Sequence, residues 1–186
     1  RWGTGLREGT PVTARAGRAA RGLGGGGPET LLGMRDGATE RPAVVSSRVG
    51  ELAERGLDFS TPRLYTLDGG KALYAAGPKH AGEAAFIQRC QVHKKRNVVD
   101  HMPDQHKGEV RRKLQNAYAM ADYADAKRAL ERLHRELMDL NPSAARSLEE
   151  GMEETLTVHK LRVPDQLRRT LCCTNVIESA FSIVET

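Results

Sequence analysis

Residues 62–73, PRLYTLDGGKAL, decide how this chain is read. Leu64 to Leu67 form an apolar run whose Leu, Tyr and Thr favour an extended strand. The run stops at Asp68, and Gly69 and Gly70 permit a tight turn before a Lys-Ala-Leu pattern suited to a helix start. A strand leading into a helix predicts an α/β unit. An Asp at the carboxyl end of a central strand stands at the edge where such folds place their chemistry. Two readings of Asp68 follow: a turn residue ahead of Gly-Gly, or a functional carboxylate.

Upstream, Leu31 to Met34 reads as a short strand before a turn at Arg35, Asp36 and Gly37. Thr39 and Pro42 suit a helix opening, proline being tolerated in a first turn. From there Val45, Val49, Leu52 and Ala53 share one face as far as Gly56. Residues 1–30 differ in kind, with nine glycines, five arginines and no aspartate. So much glycine raises the entropy cost of ordering, which predicts a mostly flexible segment with one short helix near Ala14 to Ala20. Its arginines suit either a solvated basic tail or a nucleic-acid contact. Its glycine run lacks the GxxxxGK[ST] spacing and the preceding strand of a phosphate loop.

Downstream, a short helix over about Gly70 to Ala76 breaks near Gly77-Pro78, and Ala84 to Arg89 reads as a second buried strand. It runs through Cys90 and His93 into the basic Lys94, Lys95 and Arg96. Beyond this point the pattern is helical. Asn97 to His101 precedes a break at Met102-Pro103, and a long helix is expected from Asp104 to about Met120, with Val110, Leu114 and Ala117 in line. A second helix over Tyr123 to Leu140 has Ala126, Leu130, Leu133 and Leu137 at spacings of three and four. Asn141-Pro142-Ser143 separates it from a third, Ala144 to Leu156.

The chain has 186 residues and a formal charge of +5, enough for one domain with a substantial core and a modest leaning toward anionic partners. The stretch Arg89 to Lys113 holds eight Lys or Arg against Asp100, Asp104 and Glu109, a local surplus equal to that of the whole chain. It suits a phosphate-backbone contact or a solvated helix face. Three cysteines, two of them adjacent, make no disulfide framework, which fits a reducing cytoplasm. No run approaches the roughly 18 apolar residues of a membrane span, and no signal peptide is recognisable.

Cys90-x2-His93 resembles half of a zinc site, but Cys172 and Cys173 are adjacent and distant, so zinc is not expected. Packing of Cys90 in the core, with His93 ordering the junction, is the simpler reading. A Cys-His nucleophilic pair lacks an evident orienting group. Near the end, Thr174 or Asn175 suits a helix cap, which places Glu178 in or near a first turn. There an acid is favoured by the helix dipole whether or not it has a further role.

Several blocks in order resemble the bacterial transposases of the IS256 and Mutator type: LLGMRDGATE at 31–40, LYTLDGGKAL at 64–73, IQRCQVHKKRNVVDHMP at 87–103, NPSAARSLEEGMEETLTV at 141–158 and RRTLCCTNVIESAFS at 168–182. The resemblance covers roughly residues 30–186. It implies an α/β fold, an incomplete ribonuclease-H-like catalytic core interrupted by an all-helical insertion. The core would occupy 31–93, and the insertion 94–170. Residues 171–186 would begin the helix that carries the third acidic residue, following a disordered 1–30. The implied function is DNA cleavage and strand transfer by phosphoryl transfer during transposition, with two Mg²⁺ or Mn²⁺ ions held by an Asp-Asp-Glu set. Asp68 matches the second aspartate and Glu178 the glutamate. Cys90, His93 and Asn175 match supporting positions, and Arg89, Lys94, Lys95 and Arg96 lie in the segment expected near DNA. The implied partners are transposon-end and target DNA and further copies of the chain, in the bacterial cytoplasm at the nucleoid, with no membrane contact.

The first aspartate of that set has no match, because residues 1–30 offer only Glu8 and Glu29. Asp36 falls inside a matched block at a turn. The absence of an initiator Met and the ending within the expected Glu178 helix suggest that both ends are cut. The expectation is therefore a transposase remnant, inactive by itself, since losing one carboxylate removes the bridge between two ions. The alternative is a non-catalytic DNA-binding or regulatory fragment. Leu148 stands where the resembling block carries an aromatic, suggesting relaxed packing.

Overall fold

The computed structural model describes residues 17–22, 30–36, 50–51, 54, 62–68 and 85–174. The chain divides into two compact units, one of Arg1–Thr39 with Ile177–Thr186 and one of Glu40–Val176.

In the first unit, β1 (Gly17–Gly22) pairs antiparallel with β2 (Thr30–Asp36), running from Gly17 opposite Asp36 to Gly22 opposite Thr30. A strand thus covers Gly17 to Ala20, the described part of the short helix that the sequence suggested near Ala14 to Ala20. Gly17 and Gly22 weaken a helix there, and the β2 backbone supplies the hydrogen-bond partners that a single helical turn would lack. β2 also runs on through Arg35 and Asp36, where a turn was expected. Among the described residues its partner is β1, so it does not extend the LYTL sheet.

In the second unit, β3 (Arg63–Leu67) and β4 (Ala85–Arg89) pair in parallel, Leu64 opposite Phe86 and Leu67 opposite Arg89. Parallel neighbours need a crossover connection, and residues 68–84 have the length for one. The helix expected at Gly70 to Ala76 lies outside the described residues. Of the helix expected before Gly56, Gly50, Glu51 and Glu54 are described and helical.

After β4 the described chain is helical: α1 (Gln91–Asp100), α2 (Asp104–Ala119), α3 (Tyr123–Leu140), α4 (Pro142–Glu149), a 3₁₀ turn (Glu153–Leu156), α5 (Thr157–Lys160) and α6 (Asp165–Leu171). The described structure is mainly helical with a small parallel sheet, an α/β arrangement. α1 starts six residues earlier than the pattern suggested, directly after Cys90. α2 and α3 bury the predicted lines, Val110, Leu114 and Ala117 against Ala126, Leu130, Leu133 and Leu137. Fully burying each such leucine contributes about 1.5–3 kcal/mol.

Caps set the helix starts. Asp122 Oδ1 accepts from Ala124 N at 2.8 Å and Asp125 N at 3.1 Å, and Asn141 Oδ1 accepts from Ser143 N at 2.9 Å. Asn141 Nδ2 also donates to His101 O at 2.7 Å, tying the start of α4 to the end of α1. Leu148 is fully buried in the helical core, so the aliphatic residue is packed rather than loosely accommodated.

The third helix does not run from Ala144 to Leu156 as expected. It stops at Glu149, and Gly151 takes φ +68°. A Cβ on Gly151 would lie 2.7 Å from Arg89 Nη1, the end of a flexible side chain that can shift, so it is the positive φ that favours glycine in this turn. The chain then folds back onto β4. Buried Gln88 donates from Nε2 to Thr155 O at 2.8 Å and accepts from Val158 N at 2.9 Å, and Thr157 Oγ1 donates to Ile87 O at 2.5 Å. These bonds cover a flank of β4 with the 3₁₀ turn and α5, so the sheet and the helices share one framework.

Candidate functional site

The end of β3 is the place where distant segments converge. Cys90 N donates to Leu67 O at 2.7 Å, which joins the start of α1 to the residue before Asp68. Gln91 N donates to Cys172 O at 2.9 Å, and Thr66 Oγ1 donates to Leu171 O at 2.7 Å. Leu171 O and Cys172 O belong to the end of α6, where carbonyls have no partner within the helix. Their donors come instead from β3 and α1.

Cys90 lies at the centre, with 0% of its surface exposed. Its Sγ accepts from Thr174 N at 3.4 Å and Thr174 Oγ1 at 3.5 Å, and lies 3.2 Å from His93 Nδ1. Thr174 Oγ1 is also 3.3 Å from His93 Nδ1, which closes a triangle of thiol, imidazole and hydroxyl. The spacing Cys90-x2-His93 puts both side chains near the first turn of α1, so the motif works as a junction. Burial, and then the neighbouring Cys173 and Cys90 sulfurs, push the Cys172 thiol up to about 11, which makes it a poor nucleophile near neutral pH.

The four cations assigned to DNA from the sequence separate into two kinds, and two of them need correction as surface groups. Lys94 is 1% exposed, and its Nζ donates to Ser147 O at 2.6 Å and also to Glu150 O. It caps the end of α4, a favourable place for a cation. Burial, and then the Arg89 guanidinium, pull its pKa down to about 8 against the carboxylates of Glu150 and Glu154. Arg89 is largely buried against the Gly151 turn, with Nη1 3.5 Å from Glu150 Oε1. Lys95 is half-buried and Arg96 is exposed. A run of like charges does not reveal which members point inward, since α1 turns successive residues to different sides.

Asp68 is half-buried directly after β3. Asn175 and Glu178 lie outside the described residues. Among the described residues no three His, Cys, Asp or Glu side chains stand together as a metal site. Asp68 alone does not fit the donor requirement of a two-ion centre. Also among them, no helix is long and apolar enough to cross a membrane.

The model of the Mutator family of transposases matches residues 4–183. This chain belongs to the Mutator family of transposases. A transposase for insertion sequence element IST2 from Acidithiobacillus ferrooxidans is 30% identical over 158 residues, covering 85% of this chain and 52% of that protein. A transposase for insertion sequence element ISRM5 from Rhizobium meliloti is 30% identical over 173 residues, covering 93% of this chain and 42% of that protein. The chain thus spans about half the length of these relatives.

Within this member of the Mutator family, sequence reasoning singled out Asp68, Cys90 and His93 and missed Thr66, Gln88 and Glu150. Thr66 left one signal, a hydroxyl inside an otherwise apolar strand. Thr174 was legible as a capping residue, but not as the partner of a cysteine 84 residues away.

Proposed function

We propose that this chain is part of a DNA-recombining transposase with a ribonuclease-H-like core, acting on transposon ends and target DNA by phosphoryl transfer. In this reading Asp68 and Glu178 are the second and third acidic residues, and Lys95 and Arg96 contact the phosphate backbone. The divalent ion, Mg²⁺ or Mn²⁺, would need carboxylates beyond Asp68. The intact assembly would pair several copies on paired ends in the bacterial cytoplasm. The 186-residue chain by itself binds DNA without cutting it, because no aspartate in residues 1–30 supplies the first carboxylate.

The observation that supports this reading is the meeting at Cys90 of two segments. One is the strand end that leads to Asp68, through the 2.7 Å bond to Leu67 O. The other is Thr174, four positions before Glu178, bonded to the Cys90 thiol. One buried residue is thereby bonded both to Leu67, next to Asp68, and to Thr174, four positions before Glu178 in sequence.

A nicking and strand-joining assay tests it, using DNA that carries the ends of an insertion sequence, with Mg²⁺ or Mn²⁺ and with Glu178→Ala as control. Salt-dependent DNA binding without nicking is the expected result. Nicking that Glu178→Ala abolishes would overturn the inactivity of this chain while supporting the acidic assignment. Absence of DNA binding at low salt would overturn the reading as a whole.

A further inference from the structure

Cys172 and Cys173 stand beside the junction, but their sulfurs do not enter the triangle of Cys90, His93 and Thr174. Both are partly exposed, whereas Cys90 is buried. Adjacency in sequence does not by itself bring two side chains together. Successive residues point to opposite faces of a strand and about 100° apart around a helix. Here α6 ends at Leu171, Cys172 sits in the closing turn, and Cys173 lies beyond it. Across that exit both thiols donate to one acceptor, Arg169 O, from Cys172 Sγ at 3.4 Å and from Cys173 Sγ at 3.6 Å. A carbonyl can accept both through its two lone pairs, and two sulfurs on one oxygen are close neighbours.

The number of donors limits what the pair can hold. Cys90 is sealed in the core, and among the described residues no three His, Cys, Asp or Glu side chains stand together. A structural zinc ion, which takes four such donors, does not fit. Two thiols suit a soft centre of low coordination number. Trivalent arsenic that carries one organic group has two positions left for sulfur and meets both conditions. Burial makes Cys172 a poor nucleophile on its own. Once Cys173 holds the arsenic, however, the second bond is intramolecular and gains from a high local concentration.

We propose that Cys172 and Cys173, at the carboxyl end of α6, form a two-sulfur site for a monosubstituted trivalent arsenical. In each step an S–As bond forms and an As–O bond breaks, and the thiol hydrogen leaves with the hydroxyl as water. Two waters are released, arsenic stays trivalent, and no oxidant or reductant is consumed. Occupancy takes both thiols away from Arg169 O. The carbonyls of Leu171 and Cys172 are bonded by Thr66 Oγ1 and Gln91 N, so the arsenical binds on the segment that the junction holds. The site is independent of the reading of Asp68 and Glu178.

The test is a titration of the reduced full chain with phenylarsine oxide, which hydrates in water to the dihydroxide, in the presence of excess glutathione. Intact-mass spectrometry counts the phenylarsenic groups. One group per chain is expected, retained against this monothiol and removed by 2,3-dimercaptopropanol. Cys172→Ser and Cys173→Ser should each weaken retention by about a hundredfold or more, the usual gain from a second linked contact. Thermal melts check that each variant is folded. Should one melt early, proteolytic mapping of the loaded wild-type chain is expected to find the arsenic on the peptide that contains Cys172 and Cys173. Its location on the Cys90 peptide overturns the proposal. So does wild-type retention in either single variant, or no retained group in the wild type. A tighter hold in high urea than in the folded chain overturns it as well, because the folded arrangement then gives no advantage.

Discussion

The Lys94 ammonium donates to the Ser147 carbonyl at 2.6 Å, joining α1 to the end of α4 across 53 residues of sequence. This bond removes Lys94 from the surface that its basic neighbourhood suggested. It also makes the cation a structural cap, with a pH dependence of its own.

Burial lowers the Lys94 pKa from 10.5 to about 8, so the unfolded chain holds more protons than the folded one between those values. Stability from this group therefore rises as pH increases from about 8 toward 10.5, and below 8 the cost of burying the charge is present in full. Chemical denaturation of wild type and Lys94→Met at pH 7.5 and pH 9.5 should show an alkaline gain in the wild type that the variant lacks. An equal pH response in both proteins would rule this out.

Lys94 and Arg96 should separate in function. Neutralising Lys95 and Arg96 together should flatten the salt dependence of DNA binding, by roughly 0.9 in the log–log slope for each phosphate that is no longer neutralised. Lys94→Met should lower stability and leave that slope unchanged in the protein that remains folded. Fluorescence anisotropy on labelled duplex across a salt series reads both. A slope change in Lys94→Met matching that of the surface pair would contradict the buried assignment.

Gly151→Ala should destabilise the chain by about 1–3 kcal/mol, the usual cost of a non-glycine residue held at positive φ. The new methyl would also press on the Arg89 guanidinium, displacing it from Glu150. A urea midpoint lowered with an unchanged slope is the expected signature. Gly108, with open space around its Cβ position, serves as control, and Gly108→Ala should stabilise its helix slightly.

His159 is buried, with Nε2 3.2 Å from Tyr118 O, and its Nδ1 finds no hydrogen-bond partner among the described residues. Burial, and then the Arg168 guanidinium, lower its pKa, with the carbonyls of Tyr118 and Met120 and the Asp165 carboxylate acting in the opposite sense. The folded chain therefore binds its proton less readily than the unfolded one, and stability falls as pH drops below about 6.5. His159→Gln should weaken that acid sensitivity between pH 7 and pH 5. Identical slopes for variant and wild type would remove His159 as its source.

Much of the helical part was legible from the chain alone. α2 and α3 match their expected bounds to within a residue, because each carries its apolar face at a spacing of three and four and is bounded by a local stop. The strands at Arg63–Leu67 and Ala85–Arg89 were legible for a similar reason, as short apolar runs closed by polar residues. Asp68, Cys90 and His93 were found as candidates because their motifs are contiguous.

What remained hidden lies in pairings that no local window contains. β2 turns to β1, α4 ends early where Arg89 approaches Gly151, and Lys94 is buried while Arg96 two positions later is exposed. Each outcome depends on which distant carbonyl or side chain arrives to satisfy a polar group once water is excluded. The candidate site follows the same division. Residue types and spacing mark Asp68 and the Cys-His pair, whereas the bonds of Thr66 to Leu171 and of Thr174 to His93 cross 81 to 105 residues and belong to the tertiary structure.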